Sequence, residues 1–235
     1  MSNSYFQFKQ FIVNQDKAAF KVGTDGVLLG ACASVDKALH ILDIGTGTGL
    51  IALMAAQRSN ATVFAVEPDK DSYQQACENF RNSKWSNRIN AFNGRIQDFN
   101  VGFRFDLILS NPPYFVNSLK NPDKRYAKAR HNDDLSYNDL ISSVVRLMAA
   151  DGLFEIILPF NESKLFEELA SENNLFCIKR VFFKPKPNLE PNRIVSSFAL
   201  KKQEPVEKII TIETDQRYCF TPEYIDLTKD FYLKF

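Results

Sequence analysis

Three places in this 235-residue chain hold residues whose types and spacing can do chemistry. The first is Ser110-Asn111-Pro112-Pro113-Tyr114-Phe115, which follows Phe105–Leu109, a run that reads as a buried strand. Two prolines cannot continue a central strand, because each lacks the N–H that the ladder needs. The strand must therefore end near Ser110, with the Asn111 amide, two rigid rings and the Tyr114 aromatic at its tip. The Asn111 side-chain oxygen and the Pro112 carbonyl are hydrogen-bond acceptors held in fixed positions, and Tyr114, with Phe115 next to it, offers a flat face. That set suits a planar group that carries N–H donors.

The second place is Asp43-Ile44-Gly45-Thr46-Gly47-Thr48-Gly49. Glycines between a strand and a helix allow a tight turn and a close approach of ligand to backbone. The spacing is G-x-G-x-G, so the G-x-G-x-x-G dinucleotide fingerprint fails, and no G-x-x-x-x-G-K-[ST] phosphate loop occurs in the chain. The third is a pair of acids on neighbouring strand ends. Glu67 closes ATVFAVE, where a carboxylate can accept hydrogen bonds from both hydroxyls of a ribose. Asp98 follows the next strand, in GRIQDF.

The elements that must position these residues alternate. LHILDIG, ATVFAVE, RINAFNG, FDLILS and LFEIILP read as strands. GLIALMAAQR, PDKDSYQQACENFRNS, SYNDLISSVVRLMAA and NESKLFEELASENN read as helices, with Asp151-Gly152 as a turn. Alternation of this kind predicts an α/β fold, a doubly wound Rossmann-like sheet that is mostly parallel, and ligands in such folds bind at the carboxyl ends of the strands. CIKRVFFKP and RIVSSFAL, joined by KPNLEPN, predict an antiparallel C-terminal hairpin at the sheet edge, with EKIITIE as a further strand and PEYIDLTKDFYLKF as a terminal helix or tail. The first residues predict another hairpin, in which Phe11-Ile12-Val13 leads into a polar NQDK turn and AFKV runs back. Thr24 and Asp25 then stand where helix caps stand. One domain over 1–235 is expected, with a hairpin and helix in 1–35 and the core in 36–235.

Composition sets limits on partners. A net charge of +1 argues against nucleic-acid binding by bulk charge alone, but two stretches are locally basic. Residues 117–131 carry net +4 and 179–202 carry net +6. Cys32, Cys77, Cys177 and Cys219 are far apart, and with only His40 and His131 no zinc-ligand spacing exists, so no metal is expected. No cationic and apolar leader opens the chain, and no apolar run approaches the ~18 residues of a membrane span. A cytoplasmic protein with no membrane partner is the expectation, with a monomer favoured.

The D-x-G-x-G-x-G turn resembles the first motif of the class I S-adenosyl-L-methionine (AdoMet) methyltransferases, and N-P-P-Y resembles the motif of those members that methylate exocyclic amines or amides. The resemblance implies that Asp43, Gly45, Gly47 and Gly49 wrap the methionine and ribose parts of AdoMet and that Glu67 holds the ribose. It also implies that Asp98 receives the adenine amino group, with Ile96 or Phe99 against the ring, and that Asn111 lies between cofactor and substrate. An aromatic amine is a poor nucleophile because its lone pair is delocalised. Acceptors at Asn111 and Pro112 hold its N–H groups and stabilise the charge that develops on nitrogen, while Tyr114 stacks on the ring.

Across most of the chain the resemblance is narrower. FKQFIVNQDKAAFKVGTDGVLLGACA, DIGTGTG, NPPYF, RYAKARHNDDLSYNDLI and KDFYLKF are similar to the bacterial tRNA (adenine-N6)-methyltransferases that act on adenosine 37 of valine tRNA. In that family the KVGTDG segment lies against the cofactor, which implies Lys21, Thr24 and Asp25 near its methionine end. A tRNA substrate gives the basic stretch after Tyr114 a purpose. Phe115, Lys120, Lys124, Arg125, Lys128, Arg130 and His131 are the expected contacts to a nucleotide flipped out of its stack, and Lys184–Arg193 is a second basic hairpin for the stem. The alternatives are another amine, guanine N2 of rRNA or a glutamine amide of a protein, or an RNA-binding module that has lost catalysis. The glutamine enzymes usually carry a helical domain ahead of the glycine motif, whereas only 42 residues precede Asp43.

Overall fold

The structure is a computed structural model that describes residues 3–113 and 135–234. Its elements, in chain order, are β1 (Tyr5–Gln7), β2 (Ile12–Asn14), α1 (Thr24–Cys32), β3 (His40–Ile44), α2 (Leu50–Arg58), β4 (Thr62–Glu67), α3 (Lys70–Arg81), β5 (Ile89–Asn93) and β6 (Phe105–Ser110). They continue with α4 (Tyr137–Leu147), β7 (Met148–Pro159), α5 (Phe160–Glu172), β8 (Phe176–Lys184), β9 (Arg193–Ala199), β10 (Val206–Thr211) and α6 (Pro222–Thr228).

Eight strands form one sheet in the order β10-β8-β9-β7-β6-β3-β4-β5. The inner strands pair in parallel, β9 is antiparallel to both β7 and β8, and β10 adds in parallel outside β8. The predicted antiparallel pair is present, one strand in from the edge. The order turns back on itself between β6 and β3, which opens a crevice at their carboxyl ends.

Alternation along the strands sends side chains to two cores. Ile41, Val63 and Ala65 face a cluster with α1, α2 and the end of α3, whereas Leu42, Ile44, Val66 and Ile108 face a cluster with α4 and α5. Burial on both faces explains why these strands read as continuous apolar runs.

Three local expectations need correction. The N-terminal hairpin turns earlier than NQDK. β1 pairs with β2, the Phe8 N–H donates to the Phe11 carbonyl, and AFKV is not a strand. Phe8 and Phe11 stack at 4.7 Å and are both buried, so their rings close the turn from inside while Lys9 and Gln10 stay exposed. Second, α4 ends at Leu147, and Ala149–Gly152 form an irregularity within β7, whose register against β6 jumps from Phe105–Met148 to Leu107–Leu153. Third, the cap of α1 is Gly23, with no side-chain capping bond, so Thr24 and Asp25 belong to the first turn.

The segment after β2 is held by polar side chains of α3. Asn79 receives the Asn14 N–H and donates to the Asn14 carbonyl and to the Thr48 carbonyl. Gln75 receives the Lys17 N–H, and the Ser72 hydroxyl receives the Ala19 N–H. Ser72, Gln75 and Asn79 share one helix face and are buried, so loop backbone that water would otherwise solvate is satisfied by the helix.

Candidate active site

Register brings the sequence-predicted residues to one level. Ile44 is paired with Val66 on one side and with Ser110 on the other. The next residues, Gly45, Glu67 and Asn111, therefore leave three adjacent strands together. The Ser110 hydroxyl donates to the Ile44 carbonyl at 3.1 Å and ties the Asn-Pro-Pro segment to the glycine turn. Pro112 is buried, and Asn111 and Pro113 are half-buried.

All three glycines of the turn are left-handed, with φ of 72° at Gly45, 56° at Gly47 and 85° at Gly49. Their surroundings differ. A Cβ on Gly49 would meet the Phe80 ring at 2.4 Å, so this glycine is needed for packing. A Cβ on Gly45 or Gly47 would meet nothing within 4 Å. These two present bare backbone to open space, as a turn that cradles a ligand must.

Two buried carboxylates hold the turn. Glu67 receives the Gly47 N–H at 2.9 Å on one oxygen and the Asp69 N–H at 3.0 Å on the other. Burial raises its pKa, and these two N–H groups oppose the rise. Asp43 is fully buried and receives the Thr46 hydroxyl at 2.5 Å on Oδ2, while its Oδ1 makes no hydrogen bond of normal geometry. Burial pushes the Asp43 carboxyl up to about 7, against the opposing pull of Thr46 and the backbone of Ala52.

Asp25 reaches the same end of the molecule. Gly26 packs against Leu50, the residue after Gly49. The Asp25 carboxylate is gripped by Arg193, whose Nε donates at 3.0 and 2.9 Å to its two oxygens. Arg193 is paired with Pro159 at the carboxyl end of β7, so it serves the site's edge and is not a spare cation of the 184–193 hairpin. Thr24 and Lys21 are exposed beside it. Asp98 is exposed on the loop after β5, whereas Ile96 and Phe99 are largely buried in the second core. Arg146 of α4 fixes that loop by donating to the carbonyls of Ile96, Gln97 and Phe99.

Apart from the isolated position of Arg146 at the end of an apolar-faced helix, the sequence gives no sign of the roles of Arg146 and Asn79, and it assigns Arg193 to the basic hairpin without its Asp25 partner. Tyr114, Phe115, Lys120, Lys124, Arg125, Lys128, Arg130 and His131 lie outside the described residues. Among those described, no group of three or more His, Cys, Asp or Glu is set to hold a metal, and no helix is long and apolar enough to cross a membrane.

Comparison with known proteins agrees with this geometry. Residues 35–212 match the family model of a methyltransferase domain. A solved predicted O-methyltransferase of Agrobacterium tumefaciens shares the fold, with a TM-score of 0.68 at 19% identity, over 88% of this chain and 96% of that one. A glycopeptide N-methyltransferase solved with AdoMet does so with a TM-score of 0.53 at 10% identity, over 69% of this chain and 87% of that one. Much nearer in sequence is the tRNA1(Val) (adenine(37)-N6)-methyltransferase of Bacteroides fragilis, 46% identical over 100% of both chains. The protein of the same name from Trichodesmium erythraeum is 45% identical, again over 100% of both. The open glycine turn, the Asn-Pro-Pro tip beside it and identity of this extent from end to end have one explanation: the chain belongs to the tRNA1(Val) (adenine(37)-N6)-methyltransferase family.

Proposed function

We propose that this protein methylates the exocyclic N6 amine of an adenine in tRNA, adenosine 37 of valine tRNA, with AdoMet as methyl donor. The observation that carries the chemistry is the common level of Gly45, Glu67 and Asn111 on three adjacent strands, locked by the Ser110–Ile44 hydrogen bond. The choice of amine rests on the full-length relatives and their printed name.

The residues present fit AdoMet. The bare faces of Gly45 and Gly47 leave room at the turn, and the half-buried Asn111 stands at the same level on the adjacent strand. Asp43, Gly45, Gly47, Gly49 and Glu67 would hold the cofactor, with Asp98 beyond β5 and Lys21, Thr24 and Asp25 at the α1 side. When bound, AdoMet supplies an electrophilic methyl on a sulfonium. The Asn111 oxygen and the Pro112 carbonyl accept the two amine N–H bonds and orient the nitrogen lone pair. Both acceptors gain strength as nitrogen becomes positive, which lowers the barrier. No strong base is required, because the amine proton becomes acidic only as the new bond forms. Tyr114 stacks on the adenine, and Phe115, Lys120, Lys124, Arg125, Lys128, Arg130 and His131 hold the RNA around it.

We also propose that the chain works as one domain and as a monomer, in the cytoplasm where tRNA is modified. The shared apolar core of the hairpin with α1 and α2 supports the first of these. The test of the function is incubation with labelled AdoMet and total bacterial tRNA, then digestion and nucleoside mass analysis. Label in N6-methyladenosine is expected. Label in N2-methylguanosine, or in protein and not in tRNA, overturns the reading.

A further inference from the structure

We propose that a second pocket, on the same edge of the sheet as Asn111, receives an unstacked base of the RNA next to the target. The proposal rests on the tRNA reading above. The pocket is a cavity of about 580 Å³ between the N-terminal hairpin, the end of β10 and the C-terminal segment. That volume is in the range of small-ligand sites. Phe6, Phe220, Tyr224 and Tyr232 line it, together with polar Thr24 and Glu213.

Position is the first argument. β8 and β10 run in the same direction as β7 and β6, so Pro185 and Ile212, which follow them and wall the pocket, stand at the carboxyl edge of the sheet. β10 is the fourth strand from β6. At about 4.8 Å per strand, the pocket lies about 19 Å along that edge from Asn111. Thr24 lines the pocket, and Gly26, two residues on, packs against Leu50 beside the glycine turn.

Chemistry is the second argument. Phe220 stacks at 5.3 Å on the buried Tyr224, and Phe6 meets Tyr232 edge-on at 6.2 Å, so the half-buried Phe6, Phe220 and Tyr232 supply the aromatic walls. Single-stranded RNA is bound by stacking of splayed bases on such rings. A carboxylate, a hydroxyl and the Gln7 amide at the wall offer acceptors and donors to a base edge, and Glu213 disfavours a phosphate there. Phosphates are served outside the pocket by the lysines of the 184–193 turn and by Lys234 at the wall. Between Glu213 and Phe220 a short loop presents Tyr218, 71% exposed at a strained φ of 64°, with the Arg217 guanidinium 4.9 Å over its ring. An exposed aromatic with a stacked cation at the rim of an aromatic pocket suits a nucleic-acid strand. The N-terminal hairpin and the C-terminal segment that wall the pocket are tied to each other. Lys9 donates from its backbone N–H to the Phe231 carbonyl and from Nζ to the Lys229 carbonyl.

The experiment uses the full chain and an anticodon stem–loop of valine tRNA in which each loop nucleotide in turn is abasic. Wild-type protein is expected to lose about 5- to 150-fold in affinity at one position besides the target, the range of one lost stacking contact. Gln7→Trp, which fills the mouth from an exposed strand position, should lose affinity for the intact loop by a similar factor and become indifferent to that abasic change. Its AdoMet affinity and melting temperature should stay at wild-type values. Phe220→Ala should lose RNA affinity and abasic discrimination in the same way with AdoMet affinity unchanged, although its melting temperature falls because Phe220 packs against the core. The proposal is overturned if every non-target abasic loop binds as tightly as the intact one, or if both variants bind like wild type. A wild-type protein that neither binds nor methylates the intact loop would end the tRNA reading, and the pocket assignment with it. Normal methylation with a single sensitive position would end the pocket assignment alone.

Discussion

Two glycines of one turn should respond to the same substitution in opposite ways. At Gly47 a Cβ meets nothing within 4 Å, and φ is 56°, so Gly47→Ala costs only the left-handed penalty of about 1–2 kcal/mol. For a domain of this size that is roughly 2–8 °C in melting temperature. The Gly47 N–H to Glu67 bond is a backbone bond and survives. The added methyl, however, occupies the space assigned to the cofactor, and loss of AdoMet affinity of tenfold or more is expected, about 1.4 kcal/mol at least. At Gly49 the Cβ would stand 2.4 Å from the Phe80 ring at φ 85°. Gly49→Ala therefore adds overpacking of about 1–3 kcal/mol to the same backbone penalty and should cost roughly 2–5 kcal/mol of stability. Thermal unfolding of each variant, with calorimetric titration of AdoMet, separates the two effects. A Gly47→Ala protein that folds normally and binds AdoMet as tightly as wild type would refute the assignment of the open side of the turn to the cofactor.

Asn111→Ala should lower the methylation rate about 100- to 1,000-fold, as loss of one transition-state partner does, with AdoMet affinity nearly unchanged; equal loss of both would make Asn111 structural. Asn79→Leu removes three hydrogen bonds and leaves Asn14 and Thr48 groups unsatisfied, so urea denaturation should show a loss of about 2–5 kcal/mol. Asp43, with its pKa raised to about 7, keeps its proton in the folded chain where the unfolded chain, with a carboxyl near 3.8, has lost it. Stability from this group is thus lost as pH rises from about 4 to 7 and is constant above, so Asp43→Asn should gain on wild type by a few kcal/mol over that window. A stability difference independent of pH would show that Asp43 titrates normally.

What the sequence reveals follows from local rules. β3, β4 and β6 end where the glycines and prolines say they must, so the level of Gly45, Glu67 and Asn111 is nearly explicit in it. The hairpin turn is not, because Phe8 and Phe11 close it with buried rings where polar NQDK looks the better turn. Asp25 and Arg193 are 168 positions apart, and nothing local pairs them. On α3, Ser72, Gln75 and Asn79 lie on the buried face, but their types read as a solvated one. Their burial makes sense only once the 14–19 backbone is laid against them.

The central claim is that this site delivers a methyl to N6 of adenosine 37, and it is most directly tested with two valine tRNA transcripts that differ only there. Labelled AdoMet should mark the transcript with adenosine at position 37, in N6-methyladenosine, and should leave the guanosine-37 transcript unlabelled. Equal label in both would contradict the account.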